Sequence, residues 1–251
     1  MCLLAILYKV VPGYPVVIAA NRDELYDRQG AVPSLWQGLT PFCAPRDVRS
    51  GGTWIGCNSY EMVVAVTNRH RGAFDASKRS RGLLCADLLA AAFPNETAKL
   101  LRNELAGRDY NGVNVLCASP LQAFVASYDG VLELDALARG IHVLGNGDLN
   151  DEKSCRVRRT RELLARADQE NIRSLINDLK ILCADHDAAG GEESICVHKP
   201  QVGTLSSTII ALADDPSKSI FLHAQGSPCA TPYEDYSRLL RSNTVRARWR
   251  G

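Results

Sequence analysis

The chain has 251 residues, of which 46% are hydrophobic, so it can bury a large core, and we expect a single domain over residues 1–251. Its 29 basic and 28 acidic residues give a formal charge of +1, which excludes the strongly basic surface typical of nucleic-acid-binding proteins. No segment reaches the roughly 18 to 20 apolar residues that a membrane span needs.

Residues 2–20 have the pattern of a β-hairpin. Two apolar runs flank a turn cluster of proline and glycine at residues 12–15. Because a hairpin brings its open ends together, Cys2 is expected close to the polar tetrad that follows the second run, which is Asn21, Arg22, Asp23 and Glu24. If Met1 is removed, Cys2 carries both a thiol nucleophile and an α-amine that can act as its base.

The tetrad can tune that thiol. An arginine beside Cys2 lowers the thiol pKa, and a carboxylate can hold the arginine or the α-amine in place. The plainer alternatives are that Cys2 is a small buried hydrophobic residue and that residues 21–24 form a solvated turn.

The next segments predict a long loop and a second hairpin. Residues 26–50 are rich in proline, glycine and arginine and are expected to cross the surface irregularly, as loops that border binding sites often do. Residues 54–56 and 62–66 predict a hairpin that ends at Thr67 and Asn68. Since this hairpin and the first both end in a polar group containing asparagine, adjacent strands would collect those groups on one edge.

The rest of the chain alternates between helices and strands. Helices are predicted at 83–93, 94–105, 152–168 and 171–184, and strands at 113–118, 123–128, 131–134, 142–144, 208–212 and 219–224. The basic segment 238–250 is typical of a solvated helix end and a frayed tail. This order predicts an α+β fold of two mostly antiparallel sheets between helical layers.

Short motifs along nearly the whole chain resemble the NRDE family, whose eukaryotic members are called transport and Golgi organization proteins. The motifs occur in the family's order and are Asn21-Arg22-Asp23-Glu24, Gly51-Gly52-Thr53-Trp54-Ile55-Gly56, Thr67-Asn68, Ser80-Arg81-Gly82, Tyr110-Asn111-Gly112-Val113-Asn114, Leu144-Gly145-Asn146 and Gly203-Thr204 with Thr208. The resemblance implies the four-layer αββα sandwich of N-terminal nucleophile hydrolases, in which the first residue of the mature chain lies at the catalytic centre.

The family is similar to the bile-salt and penicillin V acylases, and this likeness implies roles for individual residues. Cys2 would be the nucleophile, Arg22 the cation beside it, and Asp23 or Glu24 the orienting carboxylate. The implied oxyanion donors are Asn68 and Asn146, and the implied substrate-binding residues are Asn21, Trp54, Thr67, Arg81 and Asn111. The acylases have an aspartate where this chain has Leu25 and a serine where it has Gly145. Trp54 is expected either to wall the pocket, beside glycines that allow close backbone approach, or to be plain core.

Cysteine and histidine usage predicts no metal site. The nine cysteines form an odd set without a C-x-x-C pair, which indicates free thiols in a reducing compartment. The apolar start lacks the basic residues of an export signal, so a cytoplasmic location is expected. Residues 183–187 contain several metal-capable side chains but favour a helix-end turn, and the remaining histidines, His70, His142, His198 and His223, look isolated. No cofactor is expected.

Three functions remain open. The first is acyl transfer from a small amide, with Cys2 as nucleophile. The second is a non-catalytic carrier of heme or of acyl-CoA or lipid in the same pocket, as the eukaryotic relatives suggest; candidate axial ligands to heme would be Cys2, His70, His142 and His198. The third is a scaffold without pocket chemistry. The first two functions require a small-molecule substrate or ligand, whereas a scaffold requires none. None of the three predicts an oligomeric state.

Overall fold

The computed structural model of the chain describes residues 2–69, 74–91, 93–186 and 194–243. Met1 and His70, which the functional hypotheses involve, lie outside the described residues, as do Asp187 and most of the predicted C-terminal tail.

Two antiparallel sheets form the centre of the fold. Within the described ranges, the first has six strands in the order β10-β1-β2-β11-β12-β13, and the second has seven in the order β3-β4-β5-β6-β7-β8-β9. Their bounds are β1 Cys2–Val11, β2 Tyr14–Leu25, β3 Gly30–Trp36, β4 Phe42–Asp47, β5 Ile55–Asn58, β6 Val63–Asn68, β7 Val113–Ala118, β8 Ala123–Tyr128, β9 Leu132–Ala136, β10 Gly140–Leu144, β11 Val202–Leu212, β12 Ile220–Ala224 and β13 Glu234–Asp235.

The five described α-helices are α1 Arg81–Leu89, α2 Pro94–Gly107, α3 Cys155–Arg166, α4 Ile172–Cys183 and α5 Ser237–Asn243, and a 3-10 turn spans Pro216–Lys218. Helix α1 begins after Ser80, whose Oγ accepts a hydrogen bond from the Gly82 N–H at 3.2 Å. Helices α1 and α2 pack on the second sheet, and α3 and α4 pack on the first. The fold is therefore the expected α+β sandwich with helical outer layers.

Strand alternation divides the apolar residues of the first sheet between two cores. Even-numbered residues of β1 and β2, such as Leu4 and Ile18, join the core shared with the second sheet. Odd-numbered residues, such as Leu3 and Val17, pack with α3 and α4. Because successive side chains of a strand point to opposite faces, a sheet buried on both sides reads as the continuous apolar run seen in residues 2–11.

The structure corrects the interpretation of residues 26–50. They do not form an irregular excursion, because they contain β3 and β4, which pair with each other and extend the second sheet beyond β5. Strand β3 is largely exposed, so its sequence lacks the apolar alternation that predicts a strand.

Two predicted strand ends are also corrected. The tetrad 21–24 is not a solvated turn, since it continues strand β2. Strand β11 begins at Val202 rather than at residue 208, and its first residues pair with the tetrad. The ends of β2 and β6 lie on different sheets. They approach each other because the sheets are stacked, not because the strands are adjacent.

Two further features concern the cysteines and the helices. All nine cysteines lie among the described residues and are free thiols. Among the helices in the described part of the chain, none combines the length and apolar character that crossing a bilayer requires.

His223 gives the fold a predictable response to acid. Its ring is buried, lies 2.9 Å from both Thr208 Oγ1 and Gln225 Oε1, and burial lowers its pKa to about 4. Between about pH 6.5 and pH 4 the unfolded chain binds a proton that the folded chain does not, so stability present above pH 6.5 falls as the pH drops. We expect this histidine to account for a loss of up to about 3 kcal/mol, at about 1.4 kcal/mol per pKa unit.

Urea unfolding at pH 7 and at pH 4.5 measures this effect. In His223→Gln the decline between the two pH values should be smaller by about 2 kcal/mol than in the unmodified chain. Equal declines in the two proteins would contradict the assignment, because all other titrating groups are shared.

Candidate active site

A cavity of about 200 Å³ lies where the ends of β2 and β6 approach each other. Eight residues expected at the site line it, and these are Cys2, Arg22, Asp23, Glu24, Trp54, Asn68, Arg81 and Asn111. Three others, Asn21, Thr67 and Asn146, are described by the structure but do not line it. The sandwich therefore brings together residues that are far apart in the sequence.

Cys2 lies directly opposite Arg22 in the β1–β2 ladder, as the hairpin pattern predicts. The residue is half-buried. Burial raises the pKa of the Cys2 thiol, while the positive charge of Arg22 and a hydrogen bond from the backbone of Asp23 act in the opposite direction. The thiol therefore needs a nearby base to become a nucleophile near neutral pH.

Arg22 is buried, with 4% of the residue exposed, and its guanidinium is fixed on three sides. Its Cζ lies 4.4 Å from the centroid of the Trp54 ring, and its Nη1 donates to the Arg28 carbonyl at 3.1 Å. Nη2 lies 3.8 Å from Asp47 Oδ2 and donates no hydrogen bond to any described residue. A buried donor without an acceptor is rare in proteins, and beside a cavity it is suited to an oxygen atom of a ligand.

Strand alternation separates the tetrad into two pairs. Continuing the alternation of β2, Arg22 and Glu24 lie on the face that contains Cys2, whereas Asn21 and Asp23 lie on the face covered by α3 and α4, although Asp23 also borders the cavity. On that far face the Asp23 carboxylate accepts from Thr204 Oγ1 at 2.6 Å and pairs with Arg156 Nη2 at 2.6 Å.

Asn21 is also occupied on the far face. Its Nδ2 donates to the carbonyls of Cys183 at 2.8 Å and Ile195 at 3.0 Å. The side chains of Asn21 and Asp23 thus hold structural contacts, while Glu24 faces the cavity and pairs with Arg28 at 3.3 Å.

Sequence reasoning missed a second carboxylate at the site, Asp47. Its Oδ2 accepts from Arg28 Nε at 3.0 Å and lies 2.8 Å from Arg28 Nη2. Burial alone would raise the pKa of Asp47, but the hydrogen bond and charge of Arg28 outweigh it, so the pKa lies below its ordinary value. The short apolar run 42–44, which comes shortly before this aspartate, was the available signal.

The two asparagines expected as oxyanion donors occupy different positions. Asn68 lines the cavity, and its side chain makes no hydrogen bond to another described residue. Asn146 donates from Nδ2 to the Asn68 carbonyl at 2.6 Å. Thr67 similarly donates to the Gly145 carbonyl at 2.7 Å. The loop 145–146 therefore holds the end of β6 in place.

Two expected substrate-binding residues form the opposite wall. Arg81 donates to the Gly112 carbonyl at 3.1 Å, and within the described ranges no carboxylate lies at ion-pair distance from it. Burial lowers the pKa of Arg81. The Asn111 amide is occupied by both the N–H and the carbonyl of Asp75, at 2.9 and 2.7 Å.

Close backbone contact positions this wall, as the glycine-rich motif suggests. The Thr53 N–H donates to the Gly82 carbonyl at 2.9 Å, and a Cβ on Gly52 would lie 2.2 Å from the Gly82 carbonyl carbon. Only glycine fits at position 52. Trp54, the aromatic residue of the same motif, is part of the buried core and also lines the cavity.

The structure also shows the surroundings of two histidines that look isolated in the sequence. His198 is not isolated, because its ring nitrogen lies close to the sulfurs of Cys196 and Cys229 and its ring lies beside that of His186. His142 lies near the Ala138 carbonyl and Asn150. Neither His142 nor His198 lines the cavity, although both were candidate heme ligands.

Comparison with known proteins supports both the family and the fold. The family model described as Transport and Golgi organisation 2 matches residues 1–223. A Bos taurus Transport and Golgi organization protein 2 homolog is 27% identical over 248 residues, covering 86% of this chain and 90% of that protein. The Homo sapiens homolog is 28% identical over 125 residues, covering 47% of this chain and 45% of that protein.

Solved structures share the architecture at much lower identity. Penicillin V acylase from Agrobacterium tumefaciens has a TM-score of 0.61 at 11% identity, covering 96% of this chain and 88% of the acylase chain. A Caenorhabditis elegans N-acylethanolamine-hydrolyzing acid amidase ortholog has a TM-score of 0.56 at 14% identity, covering 83% of this chain and 92% of that chain. At such identities the likeness shows the fold alone, which is that of N-terminal nucleophile hydrolases. With its motifs, its sandwich and the match over residues 1–223, the chain belongs to the Transport and Golgi organisation 2 family.

Proposed function

We propose that this protein is an N-terminal cysteine nucleophile hydrolase that cleaves the C–N bond of a small amide. The observation that carries the proposal is the pairing of Cys2 with Arg22 at the open end of the first hairpin. The Arg22 Nη2 donor is buried there and has no acceptor among the described residues. Structural neighbours named as an amidase and an acylase have the same fold, which fits amide cleavage.

The reaction needs removal of Met1, so that Cys2 has a free α-amine. That amine takes the thiol proton, and the thiolate adds to the amide carbonyl carbon to give a tetrahedral oxyanion. The C–N bond then breaks, and the leaving amine takes the proton from the α-ammonium group. Water, deprotonated by the α-amine, adds to the thioester, and rupture of the C–S bond releases the acid and restores the thiol.

The surrounding residues have distinct parts in this scheme. Arg22 stabilises the thiolate, and Asp47 with Arg28 holds Arg22 in position. The side-chain amide of Asn68, which has no hydrogen-bond partner among the described residues, donates to the oxyanion. Asn146 is a positioning residue, since its own amide holds the Asn68 backbone.

The cavity favours a small substrate with an anionic group. Its volume of about 200 Å³ is below the roughly 300–1,000 Å³ of pockets for drug-sized ligands. The Arg81 guanidinium lines it without a carboxylate at ion-pair distance in the described part of the chain, so a carboxylate on the substrate would supply the missing charge.

The competing function is a carrier of heme, acyl-CoA or lipid that uses this cavity without hydrolysis. The small volume does not favour enclosure of a whole heme. A carrier would bind its ligand without turnover, and loss of the Cys2 thiol would leave that binding intact unless the thiol is itself a ligand.

The test begins with the intact mass of the full chain after expression in a cytoplasm with ordinary methionine processing. If Met1 is absent, small N-acyl amides are assayed in matched pairs that differ by one carboxylate. We expect turnover of the carboxylate-bearing member, complete loss in Cys2→Ala, and unchanged turnover in Cys155→Ala, which removes an exposed cysteine outside the cavity. Retention of Met1 on every molecule, or equal turnover in Cys2→Ala, would refute the proposal.

A further inference from the structure

Four side chains that could hold a metal ion meet at a second place in the molecule, outside the cavity. His186, Cys196, His198 and Cys229 each offer one ligand atom, and these four atoms all lie within 4.8 Å of one another. The His198 Nε2 lies 3.6 Å from Cys196 Sγ and 3.3 Å from Cys229 Sγ. The His186 and His198 rings lie with their centroids 5.1 Å apart.

These separations match a tetrahedral zinc site. Bonds of about 2.3 Å to sulfur and about 2.0–2.1 Å to nitrogen place neighbouring nitrogen and sulfur ligands about 3.6 Å apart at the tetrahedral angle. Two thiolates and two imidazoles form one of the common ligand sets of structural zinc, and this soft to borderline combination does not suit magnesium or calcium.

Three segments deliver the ligands, and each is held by hydrogen bonds that need no metal. Cys196 and His198 are two residues apart on extended backbone that bridges to Gly203, so their side chains share a face. The Cys196 N–H donates to the Asp185 carbonyl at 2.9 Å, which brings the segment that follows α4, and with it His186, alongside. The Cys229 segment is anchored through Ser227, whose Oγ donates to the Thr204 carbonyl at 2.8 Å.

The cluster is also connected to the far face of the tetrad. Thr204 Oγ1 accepts from the Val197 N–H at 2.8 Å and donates to Asp23. Arg156 Nη2, the partner of Asp23, donates to the Ile195 carbonyl at 2.9 Å. Thr204 and Arg156 therefore hold segment 195–197 and also hold Asp23, the residue of β2 next to Arg22.

We propose that His186, Cys196, His198 and Cys229 bind one zinc ion that fixes segment 195–198 against the outer face of β2. A Cys196–Cys229 disulfide would use the sulfurs but would leave both imidazoles directed at the same point without a function. This site reverses the expectation from the sequence, which assigned no metal. It goes beyond the proposed hydrolase function, and the outcome of its test does not depend on whether the protein is a hydrolase.

Metal binding by the full-length protein tests the proposal. Protein purified with a reductant and stripped by a chelator is titrated with Co²⁺ and followed by absorbance. We expect one Co²⁺ per chain, with the thiolate charge-transfer and intense d–d bands of tetrahedral coordination, and displacement by one Zn²⁺ in native mass spectrometry.

Variants decide whether these four residues are the ligands. Cys229→Ser and His198→Asn change exposed side chains, so circular dichroism should show them folded, and each should weaken metal binding by more than the roughly 10–100-fold typical of an outer-shell change. Cys155→Ser, which removes another exposed cysteine, should bind as the unmodified chain does. The proposal is overturned if folded unmodified protein gives no cobalt spectrum, or if Cys229→Ser binds equally well. It is also overturned if the intact mass shows a Cys196–Cys229 disulfide that excludes the metal.

Discussion

Replacing Arg156 with methionine should lower the free energy of unfolding by about 3–5 kcal/mol. The Arg156 and Asp23 side chains are 8% and 0% exposed, and their ionic contact at 2.6 Å is buried between β2 and α3. Without the guanidinium, the Asp23 carboxylate stays buried with its charge uncompensated, which costs more than the pair itself contributes. Chemical denaturation of the full chain, with the midpoint and slope compared, measures the loss.

Two further variants isolate the cause. Arg161→Met, on the same helix, removes an exposed ion pair with Glu152 and should cost no more than about 1 kcal/mol. The double variant Asp23→Leu, Arg156→Met removes both charges and should recover much of the loss. A loss below about 1 kcal/mol in Arg156→Met would show that this contact does not stabilise the fold.

For the amide hydrolysis proposed above, Asn68→Ala should lower kcat by about 10²–10³-fold, with a small effect on KM. The Asn68 amide lines the cavity and is not engaged with other described side chains, so it is free to donate when charge develops on the carbonyl oxygen. Interactions made only in the transition state reduce kcat and kcat/KM equally when they are lost. Steady-state kinetics of the folded variant supplies the measurement.

Asn146→Ala provides the matched comparison. Because Asn146 holds the Asn68 backbone at 2.6 Å, its loss should reduce kcat less than Asn68→Ala does. It should also lower the melting temperature, which Asn68→Ala should leave nearly unchanged. If Asn146→Ala proves the more damaging to kcat at unchanged stability, then the assignments of donor and positioning residue are reversed.

Local patterns were sufficient to predict the hairpins, most helices and the pairing of Cys2 with the tetrad. The apolar runs around the turn at 12–15 predict β1 and β2 directly, and the helix predicted from residue 83 begins two residues earlier, at Arg81. The tetrad itself was harder, because consecutive polar residues normally indicate a solvated turn. Asn21, Arg22 and Asp23 are buried only because contacts distant in sequence satisfy them on both faces of the sheet.

The remaining features depend on how the sheets stack, which no local pattern encodes. Asp47 reaches Arg22 because β4 belongs to the opposite sheet. The neighbouring strand β3 is mostly exposed, so the sequence of this segment did not show that it forms strands. The same limit concealed the cluster around His198, since its four side chains come from three segments that meet only in the folded chain. The family resemblance implied eight residues that line the cavity and three that do not, and strand alternation decides on which face of the sheet each tetrad side chain lies.

The alternation along β2 has a consequence for how variants of this protein would behave in a cell. Neighbouring positions of one tetrad should fail in different ways. A change at Asp23 acts on folding, and a loss of even 1–2 kcal/mol can reduce steady-state abundance several-fold through quality control. A change at Arg22 that keeps the ring contact with Trp54 should instead leave protein levels closer to normal while lowering the activity of each molecule. Measuring quantity and specific activity separately would sort variants of these two adjacent residues into a class rescued by chaperones or low temperature and a class that is not.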